Sequence, residues 1–358
     1  MSNGLSHWAF FKQALAHPNV THALGHAALE HRRVEKDFRR RVIEASVSGM
    51  DFEFPNLNLP PAAYWQRNFF SILFLSTFRT LGMPADKRLT HGLILHAVRG
   101  IVTAADNILD DEDKGAVKLR LNGGTVLPNI LLTLLQQRVL HDFIAEAAGD
   151  EHAGRRAHAA LLGELFEIAR EETAEERDVD VVLSPEDLLR DVHSYRGGRL
   201  LQLAFVVPEI TEPEFADGIR RAREAVHQIG LALQVLDDLT DFGEDVAHRN
   251  HNMLRSWIVH RSPDGTATDV SLAGMQEDDL AAPETIFPKA TRDVLSLAIE
   301  MALEGFGQLN DLGHVIDRAA AIDLIGMMFH LRGLSHLWKL YDGSIEIPAS
   351  LIGQRSEA

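Results

Sequence analysis

Apolar positions recur at the three-to-four-residue spacing of a helix along most of this chain, starting with residues 22–48, where Arg and Glu take the outward places. Pro60 and Pro61 open a second helical stretch over 62–81, and a third runs over 86–111 with Leu93, His96, Val98, Ile101, Val102 and Ala105 along it. Further helical patterns cover 126–148, 152–177, 185–207, 212–242, 288–307 and 314–341. Ser184-Pro185-Glu186-Asp187 supplies a cap, a proline at the first helical position and acid in the first turn. Thr211-Glu212-Pro213-Glu214 and Ala282-Pro283-Glu284 repeat the device. Strand signals are scarce: no Asn-Gly turn joins two alternating runs, and Val179 to Val182 is short. The polar segment 261–284 reads as a long loop or flap. The pattern predicts an all-α fold: one domain of roughly ten helices around a central apolar pocket. Residues 1–60 form a loosely attached N-terminal helical extension, 61–345 the catalytic domain and 346–358 a tail.

Composition narrows the function more than the fold. The chain has 358 residues, 46% hydrophobic, enough for a large core. Its longest strongly apolar run, Asn68 to Phe78, is about half of what a bilayer crossing needs, so no transmembrane segment is expected. The first residues lack a basic start and a small-residue cleavage site, and there is no cysteine, which together predict a cytoplasmic protein. Asp and Glu outnumber Lys and Arg 52 to 35, a net charge of −17 that argues against a nucleic-acid partner.

The acids are not scattered evenly. Asp106 and Asp110 lie four residues apart at the end of an apolar helix, with Asp111 and Asp113 following; Asp237 and Asp241 repeat the spacing, with Asp238 between, Asp245 beyond and Gln234 one turn before. Carboxylates one turn apart share a helix face and repel each other. Aspartates at a helix C-terminus also oppose the macrodipole. Two such faces gain by binding cations, and carboxylate oxygen is the preferred ligand of Mg²⁺, which keeps waters and bridges to substrate phosphates. The alternative is a pair of solvated surface clusters.

The layout resembles the class I isoprenoid synthases, above all the trans-prenyl diphosphate synthases with their two Asp-Asp-x-x-Asp motifs. Here these read Asp106-Asn107-x-x-Asp110 and Asp237-Asp238-x-x-Asp241, the second preceded by Gln234. Between them, Tyr195-Arg196-Gly197-Gly198-Arg199 is similar to the family's Tyr-x-Lys-Thr-Gly/Ala segment, with Arg196 near its diphosphate-binding lysine. Ala105-Asp106-Asn107-Ile108-Leu109-Asp110 also resembles squalene and phytoene synthases. So does the run from Gln234 to Asp245. The resemblance implies two or three Mg²⁺ ions, with Mn²⁺ as an alternative, held by Asp106, Asp110, Asp111, Asp113, Asp237, Asp238, Asp241 and Asp245. An allylic prenyl diphosphate would bind them, Asp106, Asp110, Asp237, Asp241 and Arg196 being catalytic. Arg196, Arg199, Lys114, Gln234, Arg67 and Arg249 are candidate substrate contacts, with Lys339 and Tyr341 as further ones. Ile101 and Val102, which are not bulky aromatics, lie below Asp106, and by analogy with the family this implies room for a long chain. A homodimer is expected by analogy.

Two departures stand out. Asn107 replaces the second aspartate of the first motif. The Gly-Gly-Lys-x-Arg-Pro segment that grips isopentenyl diphosphate in elongating enzymes is missing; Tyr64-Trp65-Gln66-Arg67-Asn68 supplies only Arg67. The open alternatives are therefore prenyl transfer, cyclisation or head-to-head coupling of one diphosphate type, a non-catalytic regulatory paralogue, and an acidic helical interaction protein. His22 and His26 have metal-ligand spacing, but His31 completes no zinc set with them; His248 and His251 follow the second motif, and Gly123-Gly124 is a turn.

Overall fold

The computed structural model describes residues 16–47, 49–109, 115, 117–121, 124–174, 179, 181–261, 272, 274–275, 277–331, 333–341 and 343. They are helical almost throughout, the exception being a two-residue antiparallel pairing of β1 (Phe52–Glu53) with β2 (Lys118–Leu119). Backbone contacts gather into two compact units, described in turn: the first is His7–Leu162 with Leu203–Arg220, the second Gly163–Gln202 with Arg221–Ala358.

The first unit is built on α1 (Pro18–Ala45), α2 (Pro61–Thr80), α3 (Ala85–Leu109) and α4 (Val126–Ala148). Pro18 stands in the first turn of α1, where its missing N–H costs nothing. Leu24, Val34, Phe38 and Val42 of this helix are buried, and α1 lies against α2, α3 and α4. In α4 the last turn closes on Gly149, whose left-handed φ of 68° lets its N–H reach the Ala145 carbonyl. Phe205 enters the same core edge-on to Phe74 and Phe78.

Helix α3 is long and apolar enough to cross a membrane by length and composition. It is nonetheless a core helix, because its packed flank buries Arg88, His91 and His96 among protein groups. Arg88 reaches Glu30 and the Met83 carbonyl, and His91 lies 2.9 Å from Glu212.

The second unit takes in the end of α5 (Glu151–Ala174) and then α6 (Pro185–Leu188). Ser184 caps α6, accepting the Asp187 N–H at 3.2 Å. A π-helix, Leu189–Arg199, continues into α7 (Leu200–Thr211), so the single helix expected over 185–207 has three windings. After Pro213–Phe215 come α8 (Ala216–Thr240), α9 (Phe242–His248) and α10 (Met253–Arg261). Two short helices, α11 (Glu277–Leu280) and α12 (Pro283–Ile286), occupy part of the segment expected to be loop; 262–271 lie outside the described residues. The core closes with α13 (Pro288–Asp311), α14 (Arg318–Leu331) and α15 (Ser335–Trp338).

Two buried histidines, His96 of the first unit and His314 of the second, are held neutral. Burial and the Arg99 and Arg67 charges push His96 down to about 3, and burial pushes His314 down to about 4. Free imidazole titrates near 6.5, so the unfolded chain takes up more protons below that pH and stability falls as pH drops. The melting temperature should decline between pH 7 and pH 5.5, each such histidine costing on the order of 1 kcal/mol at the lower value. A His314→Gln variant should show a shallower decline in a thermal scan across that range.

Candidate functional site

The second acidic motif occupies the end of α8 and the start of α9. The Asp241 N–H donates to the Asp237 carbonyl and the Asp245 N–H to that of Asp241, both at 2.9 Å, so helical winding continues through the junction. Asp237 and Asp241 therefore share one face, and both are exposed. Thr240 donates its hydroxyl proton to Asp241 at 3.1 Å.

Asp238 points the other way and is 3% exposed. Its carboxylate lies 2.8 Å from His193 Nε2 and accepts the Met253 N–H and the Gln234 side-chain amide, the last at 3.3 Å. Gln234, placed by sequence among the substrate contacts, thus serves this buried acid. Asn252 fastens the arrangement: its amide donates to the Asp238 carbonyl at 2.7 Å and to Asp245 at 2.8 Å, while its oxygen accepts the Leu254 and Arg255 N–H groups at the start of α10. Asp245 is pushed up to about 6, first by burial and then by the charges of Asp238 and Asp241, against the donors Asn252 and Asn250.

The π-helix positions the cations of this unit. Gly197 and Gly198 face Gly230 and His227 of α8 so closely that a Cβ on Gly197 would fall 2.3 Å from the Gly230 carbonyl oxygen. The wide winding, a form often found at functional sites, sets His193 against Asp238. Arg196 is half-buried, and its Nε is enclosed with no hydrogen-bond partner among the described residues. His251 is pushed down to about 4 by burial and then by the Arg196 charge. Arg199 stacks over Tyr195 at 4.4 Å and stands 3.9 Å from Glu164. Arg249 has the one left-handed non-glycine backbone among the described residues (φ 57°), ends α9, and donates to the Val179 carbonyl at 3.4 Å.

In the first unit, Asp106 sits exposed near the end of α3. Asn107 is 3% exposed and donates to Asn129 Oδ1 at 3.2 Å. An aspartate would lack that donor, which gives the departure at this position a packing reason. Asp110, Asp111, Asp113 and Lys114, as well as Gly123, lie outside the described residues. Ile101 and Val102 are half-buried and do not line the cavity described next.

That cavity, about 500 Å³, runs beside α3 from Asp106 past Thr103 and Arg99 to His96, with Arg67 and Gln136 among its walls. Arg99 went unremarked in the sequence because it lies in an apolar run. The signal was its spacing, since His96, Arg99, Thr103 and Asp106 follow one helix face. Arg67 donates to Glu35 at 2.8 Å. Arg99, mostly buried, donates to Asn68 Oδ1 at 3.3 Å and to the Arg67 carbonyl at 3.4 Å. Asn68 breaks the helical path of α2 next to that carbonyl (φ −122°, ψ 17°). His31 and the Tyr64 hydroxyl are 2.7 Å apart. His22 and His26 pair with each other on the exposed side of α1, at 3.0 Å.

Among the described residues no group of three or more His, Asp or Glu side chains is gathered as a complete metal site. The donor chemistry fits Mg²⁺ of the kind that retains waters: Asp237 and Asp241 are exposed oxygen donors one turn apart, while Asp238 is committed to protein donors.

No family model matches the sequence, and no curated protein matches it. Solved structures do. A geranylgeranyl pyrophosphate synthetase from Pyrococcus horikoshii matches at 12% identity and TM-score 0.55, covering 87% of this chain and 98% of that one. A polyprenyl synthase from Roseobacter denitrificans matches at 13% and 0.55 with the same coverage. A geranylgeranyl pyrophosphate synthase from Lactobacillus brevis matches at 14% and 0.53, covering 90% and 96%. The fold is that of the trans-prenyl diphosphate synthases.

Two substitutions test the local assignments. His193→Phe leaves the buried Asp238 carboxylate short of one hydrogen-bond partner and should cost about 1–3 kcal/mol in urea unfolding. Asn107→Asp should cost about 1–3 kcal/mol by the same measurement, because the Asn129 oxygen loses its donor.

Proposed function

We propose that this chain is a Mg²⁺-dependent prenyltransferase that ionises an allylic prenyl diphosphate. The observation that carries the reading is the exposed pair Asp237 and Asp241, one turn apart over a buried, fully engaged Asp238. The shared fold supports it, since the matching structures are prenyl diphosphate synthases.

Asp237 and Asp241 would hold Mg²⁺ at the second acidic motif; at the first, Asp106 is the candidate, with Asp110 as the further one. Mg²⁺ held there would supply electrostatic stabilisation of the negative charge on the departing diphosphate. Arg196 adds a cation whose enclosed Nε has no partner among the described residues. Asp238 contributes by position: with His193 and Asn252 it holds the end of α8 and the start of α10 together, so Asp237 and Asp241 keep their outward register. Lys339 and Tyr341 are not assigned a part; Tyr341 donates its hydroxyl proton to Glu300 at 2.6 Å.

Transfer to a second molecule is favoured over cyclisation by the Arg67 and Arg99 pair, which gives the cavity beside α3 an anion-attracting wall. Self-association is proposed through α4, whose Val126, Leu127, Ile130 and Leu134 are exposed. An Ile130→Glu, Leu134→Glu variant should sediment as a monomer if this stripe is the interface.

The decisive assay is diphosphate release from geranyl, farnesyl and geranylgeranyl diphosphates with and without Mg²⁺. Asp237→Ala and Asp106→Ala should each lower release by about a hundredfold or more. Release indifferent to both substitutions would remove the site assignment. No release from any donor would favour the non-catalytic paralogue.

A further inference from the structure

We infer that His22 and His26 form a two-imidazole clamp for a late first-row divalent cation, Cu²⁺ above all, on the outer face of α1. This goes beyond the prenyl-transfer reading and does not depend on it. The two Nε2 atoms lie 3.0 Å apart, with the ring centroids at 4.4 Å and the ring planes at 78°. Residues four apart on a helix share a face, and two histidines so spaced are a recurrent pair of metal ligands. Stacked rings could not aim their nitrogens at one point; rings set edge to face can.

The distance selects the geometry. Imidazole nitrogen binds such metals at about 2.0–2.1 Å, so two nitrogens 3.0 Å apart subtend about 90–97° at a shared ion. That is the angle between neighbouring positions of a square-planar or octahedral ion, whereas a tetrahedral ion needs about 3.3 Å between its nitrogens. Tetragonal nitrogen sites belong to Cu²⁺ and Ni²⁺, and Cu²⁺ heads the affinity order. In the metal-free pair one Nε2–H donates to the other Nε2. Moving that proton to Nδ1 of its own ring frees both lone pairs, so the cation takes the place of a shared hydrogen and no proton is released.

The surroundings fit the same ion. His22 is exposed and His26 half-buried, so a cation reaches the pair from solvent. Gly25 has nothing within 4 Å of the place a Cβ would take, which leaves room for coordinated water. Val20, Leu24, Ala27 and Ala28 of the same turns are buried, which holds this stretch of backbone and the spacing of the two rings. The carboxylate one turn further on, Glu30, is taken by Arg88 and Arg79. The donors are then two neutral nitrogens and water, a set that suits Cu²⁺ or Ni²⁺ and not the oxygen-seeking Mg²⁺. In its chemistry this clamp is unlike the carboxylate pair Asp237 and Asp241.

Titration of the full-length protein with Cu²⁺, in excess Mg²⁺ to occupy the carboxylates, tests this by calorimetry and electron paramagnetic resonance. The wild type should bind one Cu²⁺ that gives an axial signal with two nitrogen donors. His22→Ala and His26→Ala should each weaken that binding at least about tenfold, because the second imidazole no longer acts at high effective concentration. The double variant should bind one Cu²⁺ fewer than the wild type. Alanine favours a helix more than histidine does, so the variants keep α1, as an unchanged circular dichroism spectrum would show. Ni²⁺ should bind through the same pair, and Zn²⁺ more weakly than Cu²⁺. No saturable binding, a stoichiometry unchanged in the double variant, a signal without two nitrogens, or Zn²⁺ binding tighter than Cu²⁺ would each overturn the inference. Neither histidine belongs to the proposed reaction site, so failed diphosphate release would leave this result standing.

Discussion

The near-contact of two backbones, the π-helix 189–199 and α8, is the constraint on which the acidic end of the second unit depends. Glycine at 197, 198 and 230 lets the chains approach to a distance at which any side chain would collide with a carbonyl or a ring. That approach brings His193 to Asp238, and Asp238 in turn collects the Met253 N–H and, through Asn252, the start of α10. Asp237 and Asp241 face outward because their neighbour is fixed inward. The two exposed carboxylates owe their alignment to three glycines, none of which touches them.

The first unit handles buried charge in the opposite sense. Asp238 is matched by protein donors, whereas Arg99 is given only neutral oxygens, and His96 and Gln136 keep polar atoms without protein partners. Folded proteins seldom leave buried polar groups unpaired, because each forfeits hydration for nothing in return.

Asn107 shows how a motif letter can mislead. As sequence it is a weakened aspartate motif; in the fold it is a buried amide whose partner, Asn129, lies on the neighbouring helix. Asp238 is the corresponding residue of the second motif, and it too is buried and bonded to protein. In both, the position next to the first aspartate turns inward, as a helix requires when its neighbours at four-residue spacing face out. Arg249 and Gln234 were candidates for substrate by proximity in sequence. In the fold their side chains also reach a loop carbonyl and Asp238, partners that no spacing rule reveals.

Periodicity determined a good deal by itself. The all-α class, the long helices near 61–80, 85–109 and 126–148, the Ser184 cap and the shared face of Asp237 and Asp241 all follow from local spacing and capping chemistry, which act within a turn or two. Tertiary structure decided what local rules cannot reach. The close approach of the π-helix 189–199 to α8 depends on a glycine on another helix. The tight packing of α1 depends on the faces of α2, α3 and α4. The cationic wall joins Arg67 and Arg99, which are 32 residues apart, through the kink at Asn68. Each of these rests on groups distant in sequence meeting at van der Waals or hydrogen-bond range, and that depends on how the helices pack.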